Sequence, residues 1–265
     1  MKPVAFDYER PASLEDAIAL LSGAGARVLA GGQSLGPMLN LRLAQPELLV
    51  DITYIPELKT AERQGDGLWL GACVTHAEIE DGAVPDVTNG ALAFVAGGIA
   101  YRAVRNRGTV GGSLAHADPA ADWVTCLSAL GADAVIAGPS GERRVPVSEF
   151  LSGAFETALE VGEILRGVWI PTLSSAASWG YYKFCRKAGD FAEAIGAVLQ
   201  DPERGIVRTV LGATNARPIV IDGAYGDESV RASIDSQGGD MDAYDRQVHF
   251  VTAKRAAMIA GVRVA

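Results

Sequence analysis

The sequence is poor in residues that bind metals through sulfur or imidazole. Its 265 residues include three cysteines and three histidines, which are Cys73, Cys126, Cys185, His76, His116 and His249. The cysteines stand more than fifty residues apart, so no iron–sulfur or zinc framework is encoded locally. Their odd number also argues against a disulfide scaffold. Redox chemistry in this protein would therefore need an organic cofactor or a second chain.

Long apolar runs and excess positive charge are also lacking. Residues 1–10 contain no apolar stretch of signal-peptide length, and no run approaches the roughly 20 residues that cross a bilayer. The net charge of −9 disfavours binding to nucleic acid and to anionic membrane surfaces. Hydrophobic residues at 49% and charged residues at 21% are typical of a packed globular protein. We expect a cytoplasmic protein of one or two domains, with no nucleic-acid partner and no membrane insertion.

Glycine, by contrast, is abundant, with 31 residues, and two similar segments stand out. Residues 30–35 read Ala-Gly-Gly-Gln-Ser-Leu, and residues 109–113 read Thr-Val-Gly-Gly-Ser. Gly23-Ala-Gly25 is followed by Val28, which breaks the dinucleotide fingerprint, and no P-loop pattern occurs. Paired glycines let a backbone approach a ligand and turn several N–H groups toward an anion. The segments are either two anion-binding loops around one diphosphate or tight turns between packed strands.

A catalytic or metal site near the second segment is a weaker interpretation. Ser113, His116, Asp118 and Asp122 could form a nucleophilic group or bind a metal. Too few ligands lie nearby for a metal, however, and the strand-to-helix elbow of a nucleophile is absent. Asp118 is explained as the cap of a helix that has Pro119 in its first turn. We therefore predict neither a catalytic residue nor a metal site in this chain.

The distribution of elements predicts two domains. Small residues concentrate at 172–178, which favours a linker between a domain at 1–173 and another at 178–265. Beyond the linker, strands at 179–184, 192–199 and 206–212 and helices at 228–234 and 242–260 predict a three-stranded sheet backed by helices. Before it, alternation at 133–145 predicts a hairpin.

Five motifs in order give the sequence a specific resemblance. They are residues 30–43, residues 107–123, Gly162-Glu-Ile-Leu165 before a strand ending at Pro171, residues 182–192 and residues 212–218. Together they resemble the FAD-binding medium subunit of molybdenum hydroxylases, the family of the carbon monoxide dehydrogenase flavoprotein and of the flavin domain of xanthine dehydrogenase. The likeness extends through about Gly223. It implies an α+β fold, with a two-lobed FAD-binding domain of the vanillyl-alcohol-oxidase type and a C-terminal domain with a three-stranded antiparallel sheet and helices.

The resemblance also implies where FAD binds. The two glycine segments would hold its diphosphate and ribityl chain through backbone N–H groups. Asp122 would accept hydrogen bonds from ribityl hydroxyls, Ala100 would lie against the cofactor, Leu165 beside the adenine and Lys183 near the flavin ring. The implied cofactor-binding residues are Ala30, Gly31, Gly32, Gln33, Ser34, Leu35, Ala100, Thr109, Gly111, Gly112, Ser113, Asp122, Leu165 and Lys183.

Partners follow from the same resemblance. Substrate would react at a molybdenum–pterin cofactor in a large subunit, and two-iron two-sulfur clusters in a small subunit would carry electrons to FAD in this chain. The FAD would pass them to an external acceptor, in a complex expected to be a dimer of heterotrimers. Two alternatives stay open: a self-sufficient FAD oxidoreductase of the same fold, and a scaffold subunit without flavin.

Overall fold

Three larger sheets follow one another along the described part of the chain, and a fourth sheet of only two strands lies within the region of the second. The computed structural model describes residues 2–23, 25–215 and 217–262. We refer to residues 2–60 as the N-terminal lobe, to residues 61–173 as the central lobe and to residues 178–262 as the C-terminal region. The architecture is α+β, as predicted.

The N-terminal lobe is a small parallel sheet with one helix in each of the two connections between its strands. Its elements are β1 (Asp7–Glu9), α1 (Leu14–Leu21), β2 (Ala26–Leu29), α2 (Leu35–Asn40) and β3 (Leu48–Asp51). Strand β3 lies between β1 and β2 and runs parallel to both. Helix α1 begins where the Ser13 hydroxyl accepts the N–H of Asp16 at 3.1 Å, and it buries Leu14, Ala17 and Leu21. Ser13 is thus the N-cap of this helix.

The central lobe is an antiparallel sheet with strand order β4-β5-β10-β6-β7. Its elements are β4 (Ala61–Gln64), β5 (Gly67–Gly71), α3 (His76–Glu80), α4 (Ala91–Gly97), α5 (Arg102–Arg105), α6 (Val110–His116), α7 (Asp122–Leu130), β6 (Asp133–Gly138), β7 (Gly141–Pro146), α8 (Val147–Phe150), β8 (Leu151–Gly153), β9 (Glu156–Thr157) and β10 (Ile164–Pro171). Strands β6 and β7 pair from Asp133 opposite Pro146 to Gly138 opposite Gly141, which confirms the predicted hairpin.

Helix α7 joins the central lobe to the C-terminal region. All nine of its residues are buried, because it packs against elements of both regions within one continuous apolar core. The helix begins at Asp122 and not at Asp118, so the predicted start was wrong. Asp118 instead accepts the N–H of Ala120 at 2.9 Å, which closes a separate turn just before the helix.

The C-terminal region contains one antiparallel sheet in the order β11-β12-β13-β14 and two helices. Its elements are β11 (Ser178–Phe184), β12 (Ala194–Asp201), β13 (Ile206–Gly212), β14 (Ile219–Asp222), α9 (Asp227–Gln237) and α10 (Ala243–Ile259). The three predicted strands are present, and the fourth corrects the predicted strand number. Strand β14 has only four residues, follows Pro218 and pairs with β13 alone, so its local signal is short.

Glycines let helix α10 lie close to this sheet. A Cβ on Gly180 would overlap the carbonyl oxygen of Ala256, and one on Gly196 would lie 2.7 Å from that of Thr252. The helix buries Phe250 against the same region. No helix among the described residues is long and apolar enough to cross a bilayer.

Candidate functional site

A cleft of about 450 Å³ opens between the N-terminal and central lobes. Its walls are made mostly of small or apolar residues. They include Ala30, Ala72, Gly111, Gly112, Val161, Glu163 and Leu165. A cleft of this size with little side-chain volume on its walls suits a large, elongated ligand that approaches the backbone closely.

The first glycine segment leaves the cleft at Ala30 and forms an open turn before helix α2. Gly32 has φ +69°, a left-handed conformation that favours glycine. Within the described part of the chain, the backbone N–H groups of residues 31–34 donate to no protein acceptor. Unpaired donors beside a cleft are costly unless water or a ligand accepts their hydrogen bonds. This segment therefore offers a set of backbone donors to a ligand.

The second segment is not the loop that the sequence predicted. It is the start of helix α6, with Thr109 as its N-cap and the two glycines in the first turn. Its N–H groups are already used inside the protein, because Val110 donates to Val74, Gly111 to Ala72, Gly112 to the Thr109 hydroxyl and Ser113 to the Thr109 carbonyl. Contacts with the central lobe thus impose helix on residues that favour it poorly.

Glycine at positions 111 and 112 permits close packing against neighbouring residues. A Cβ on Gly111 would lie 2.7 Å from both Cα and the carbonyl oxygen of Ala72. A Cβ on Gly112 would lie 2.8 Å from the Thr109 hydroxyl and 3.6 Å from the Cβ of Ala30. The two glycine segments therefore meet at the cleft, with Ala30 on one side and Gly112 on the other.

The peptide between Arg107 and Gly108 forms the contact behind the first segment. A Cβ on Gly31 would overlap the carbonyl oxygen of Arg107 and lie 2.9 Å from Cα of Gly108. On its other side, Gly108 packs against the ring of His76, whose Cδ2 and Nε2 would each lie 2.9 Å from a Cβ at position 108. His76 also donates its backbone N–H to the Gly108 carbonyl at 2.9 Å.

The His76 ring is fixed in turn from the core. Its Nδ1 accepts the indole N–H of Trp123, which is fully buried, at 3.0 Å. Burial lowers the pKa of His76 to about 4, and the nearby Arg105 guanidinium adds to the effect, so the ring is neutral at pH 7. A neutral ring can accept from Trp123, and a protonated one could not.

Ala100 lies outside the cleft, in a strained turn held by Arg105. Its φ is +44°, and the guanidinium donates to the carbonyls of Ile99 and Ala100 at 3.0 Å each. Two further bonds, of 2.8 and 2.9 Å, join the guanidinium to Glu80. A Cβ on Gly189 would lie 2.8 Å from the Ala100 carbonyl oxygen, so the loop after β11 packs directly on this turn.

Asp122 and Lys183 form a buried ion pair between the central lobe and the C-terminal region. The Asp122 carboxylate, only 6% exposed, accepts from Lys183 Nζ at 2.9 Å and from the Tyr181 hydroxyl at 2.7 Å. Burial raises the pKa of Asp122, and the Lys183 ammonium opposes that rise. Burial and the adjacent carboxylate together raise the pKa of Tyr181 well above its ordinary value. The Asp122 carboxylate is thus already held by two protein donors.

Leu165 lines the cleft from strand β10, where it is buried next to an irregularity in the pairing with β6. The loop that leads into this strand is fixed by Glu163, which accepts two hydrogen bonds from Arg143 and the N–H of Glu160. Val161, which is 87% exposed, lies between Glu160 and Glu163 in the chain and lines the edge of the cleft.

The structure brings some of the predicted residues together and separates others. Ala30, Gly111, Gly112 and Leu165 line the cleft, and residues 31–35 follow directly from it. Thr109 and Ser113 support the second segment, whereas Ala100, Asp122 and Lys183 lie where the central lobe meets the C-terminal region. The assigned role of each residue toward the cofactor stays a prediction.

Sequence reasoning missed the residues that hold the site in place. His76, Arg105 and Tyr181 carry out this support through partners distant in sequence. Tyr181 alone had a usable signal, because it stands two residues before Lys183 on a predicted strand and so shares its face. Among the described residues, no group of three or more metal-binding side chains occurs, and no metal site was predicted.

The residues present fit a bound FAD. The unpartnered N–H groups of residues 31–34 are suited to phosphate oxygens, and Gly111 and Gly112 line the cleft without a side chain. Glu163, a carboxylate in the cleft, is paired with Arg143. These features match a diphosphate more closely than a cation.

Comparison with known proteins agrees with this chemistry. The family described as the FAD binding domain in molybdopterin dehydrogenase matches residues 4–173. The chain is 38% identical over 224 residues to the carbon monoxide dehydrogenase medium chain of Hydrogenophaga pseudoflava, covering 83% of this chain and 78% of that one. It is 41% identical over 202 residues to the nicotine 6-hydroxylase medium subunit of Paenarthrobacter nicotinovorans, covering 75% and 70%.

A solved structure extends the similarity over the C-terminal region. Carbon monoxide dehydrogenase from Hydrogenophaga pseudoflava, in a form that lacks the Mo-pyranopterin moiety, superposes with a TM-score of 0.87 and 34% identity. The alignment covers 98% of this chain and 99% of that one. The likeness therefore includes both lobes and the four-stranded sheet.

Proposed function

This chain belongs to the family of FAD-binding domains in molybdopterin dehydrogenases, and we propose that it acts as the electron-transfer subunit of a heteromeric molybdenum hydroxylase. It is an FAD-dependent oxidoreductase subunit of the medium-chain type. We propose further that it receives electrons from iron–sulfur clusters in a partner subunit and passes them to an external acceptor. The buried ion pair and the glycine segments then have structural and binding roles, and none of them is a nucleophile.

The meeting of the two glycine segments at one cleft carries the proposal. The first segment offers unpartnered N–H groups, and the second forms a wall without side chains. Residues 31–34 would bind the diphosphate of FAD, Gly111 and Gly112 would leave room for it, and Leu165 would pack beside the adenine. FAD, when bound, supplies the redox chemistry that the side chains of this chain cannot.

Asp122 has a clear task in this arrangement. Because its carboxylate accepts from both Lys183 and Tyr181, it holds the Lys183 ammonium in one place at the junction with the C-terminal region. We propose that Lys183 contacts the flavin end of the cofactor. Asp122 would then orient Lys183 and could also accept from a ribityl hydroxyl, since a carboxylate has about four acceptor positions.

The partners are inferred from the names of the relatives. A medium chain or subunit implies a larger and a smaller companion, and we propose a large molybdenum–pterin subunit and a small iron–sulfur subunit in a dimer of heterotrimers. Within this chain, we propose FAD-binding and C-terminal domains at 1–173 and 178–265. The family match ends at 173 and β11 begins at 178, which supports that division. The cytoplasmic location stays a prediction.

Purification of the chain both alone and in its native complex tests the proposed function. Alone, it should carry one FAD and show no turnover of family substrates with an artificial electron acceptor. The native complex should contain two further chains together with molybdenum, iron and labile sulfide. Full dehydrogenase activity of the isolated chain would favour a self-sufficient oxidoreductase, and absence of flavin would favour a scaffold subunit.

A further inference from the structure

His76 lies outside the cleft but contacts the backbone that supports it. It is 5% exposed and lies on α3, and its ring occupies the space between Trp123 and Gly108. Gly108 in turn lies against Gly31, the first residue with an unpartnered N–H group. A continuous stack therefore runs from the core to the first glycine segment.

Each contact in this stack leaves little freedom. A methyl group on Gly31 would overlap the Arg107 carbonyl, and one on Gly108 would lie 2.9 Å from the His76 ring, so neither position accepts it without a shift. The imidazole is held by the 3.0 Å hydrogen bond from the Trp123 indole, and the backbone N–H of His76 binds the Gly108 carbonyl. Trp123 lies on helix α7, which is buried in the core. Because the His76 ring is packed between Trp123 and Gly108, it limits how far the peptide at 107–108 can move.

The same peptide leads directly into the second glycine segment. Thr109, which caps helix α6, follows Gly108, and Val110 donates its N–H to Val74, two residues before His76. The ring thus contacts Gly108, which both packs on Gly31 of the first segment and precedes Thr109 at the start of the second. A change in ring size should alter the separation of the two segments across the cleft.

We propose that His76 is a positioning residue for FAD, in which its ring, packed on Gly108, sets the separation of the two glycine segments. The inference rests on the proposed function, because it takes FAD as the ligand of the cleft. The ring acts through shape and not through proton transfer. Its hydrogen bond from Trp123 fixes the ring, and its Cδ2 and Nε2 atoms lie toward Gly108.

Two substitutions at His76 test the contribution of the ring and that of its hydrogen bond separately. His76→Phe keeps a ring against Gly108 but leaves the Trp123 indole N–H without an acceptor, which costs stability. His76→Asn can keep an acceptor for Trp123 but leaves a void beside Gly108. A positioning role predicts FAD affinity within about threefold of wild type in the Phe variant and at least about tenfold weaker in the Asn variant. If His76 had a purely structural role, the loss of FAD affinity would instead follow the loss of unfolding free energy in both the Phe and the Asn variants.

A compensating change adds a rescue. Gly108→Ala alone should weaken FAD binding, because its methyl group would lie 2.9 Å from the His76 ring. In His76→Asn/Gly108→Ala the methyl group occupies part of the vacated volume, so affinity should recover by at least about fivefold over His76→Asn. Val230→Ala, a buried change on α9, which packs on α10 and β14 in the C-terminal region, is the control for lost stability without lost positioning.

The measurement is a titration of FAD-free protein with FAD, followed by flavin fluorescence, together with urea unfolding of each variant. ADP serves as a second probe, because it presents a diphosphate without the flavin and should show the same order of affinities. Failure of wild-type protein to bind FAD would overturn the proposed function. Binding by wild type with equal loss in the Phe and Asn variants, or no rescue in the double variant, would overturn the positioning role alone.

Discussion

The two glycine segments have nearly the same sequence pattern and opposite backbone states. Residues 31–34 form an open turn whose N–H groups have no acceptor in the described part of the chain. Residues 110–113 begin a helix and have every N–H group bound to Val74, Ala72 or Thr109. The first segment therefore has free N–H donors, and the second lines the cleft at Gly111 and Gly112 without side chains.

The difference arises from the neighbours and not from the glycines. The second segment lies against the residues that follow strand β5, where the backbone carbonyls of Ala72 and Val74 accept its N–H groups. The first segment meets Gly108 and Arg107 closely but receives no comparable acceptors. A paired-glycine motif therefore identifies close backbone approach, and only the surrounding structure decides whether it binds an anion.

The largest expected effect concerns neither glycine segment but the junction between the central lobe and the C-terminal region. Lys183→Met should lower the free energy of unfolding by about 4 kcal/mol, because it leaves the Asp122 carboxylate buried with only Tyr181 as a donor. Urea unfolding of the FAD-free protein at pH 7.5 measures this loss.

The double variant Asp122→Asn/Lys183→Met provides the control. It removes both charges together, so it should be more stable than Lys183→Met by at least about 2 kcal/mol. Equal stability of the single and double variants would show that the pair contributes no coupling across the junction.

The sequence predicts the parts of this fold whose signals are local. The cap of helix α1 depends on Ser13 and Asp16, which lie within one turn of each other. The hairpin at 133–146 depends on an alternation of apolar and polar residues in neighbouring stretches of the chain. Helix α6 could not be predicted in this way, because two glycines disfavour a helix and the acceptors that stabilise its start lie more than thirty residues earlier. Strand β14 is too short to give a pattern of its own.

A smaller effect tests the tight contact of Gly111. Gly111→Ala should cost about 3 kcal/mol, because the methyl group would overlap Ala72 and disturb the hydrogen bond from the Gly111 N–H. Gly36→Ala is the matched control in the first segment's helix, where a Cβ would have no neighbour within 4 Å, and should change stability by less than about 0.5 kcal/mol. Thermal and urea unfolding compare the two, and similar losses would contradict the difference in packing.

The candidate site was predictable only where motif and chemistry coincide. Glycine pairs indicate that two backbones approach closely, so Gly31 and Gly111 could be identified from the sequence. The partners of Asp122 could not, because Lys183 is 61 residues away and the sequence assigned the carboxylate to the cofactor, with a metal or nucleophilic site as the weaker interpretation. The support of Gly108 by His76 depends on a tertiary contact and gives no pattern along the chain.

The pH dependence of stability should reveal the buried His76. Its pKa is about 4 in the folded protein and near 6.5 when unfolded, so folding favours the neutral ring. This contribution is fully present above pH 6.5 and is lost as the pH falls toward 4, with a decrease of about 2 kcal/mol between pH 7.5 and 5. His76→Asn should lack that decrease, whereas other groups titrate alike in both proteins. Parallel stability curves over this range would contradict a buried, neutral ring.

The smallest effect separates the two serines that follow the glycine pairs. Ser34 belongs to the segment with unpartnered donors, and its hydroxyl makes no hydrogen bond to the N–H groups of the helix that it precedes. Ser113 lies within helix α6, with its N–H bound to the Thr109 carbonyl. Ser34→Ala should therefore weaken FAD binding by about 1 kcal/mol, or roughly fivefold, through loss of one hydroxyl hydrogen bond, whereas Ser113→Ala should leave affinity unchanged. Fluorescence titration of both FAD-free variants measures this difference, and an equal loss in the two would mean that both segments bind the cofactor through donors.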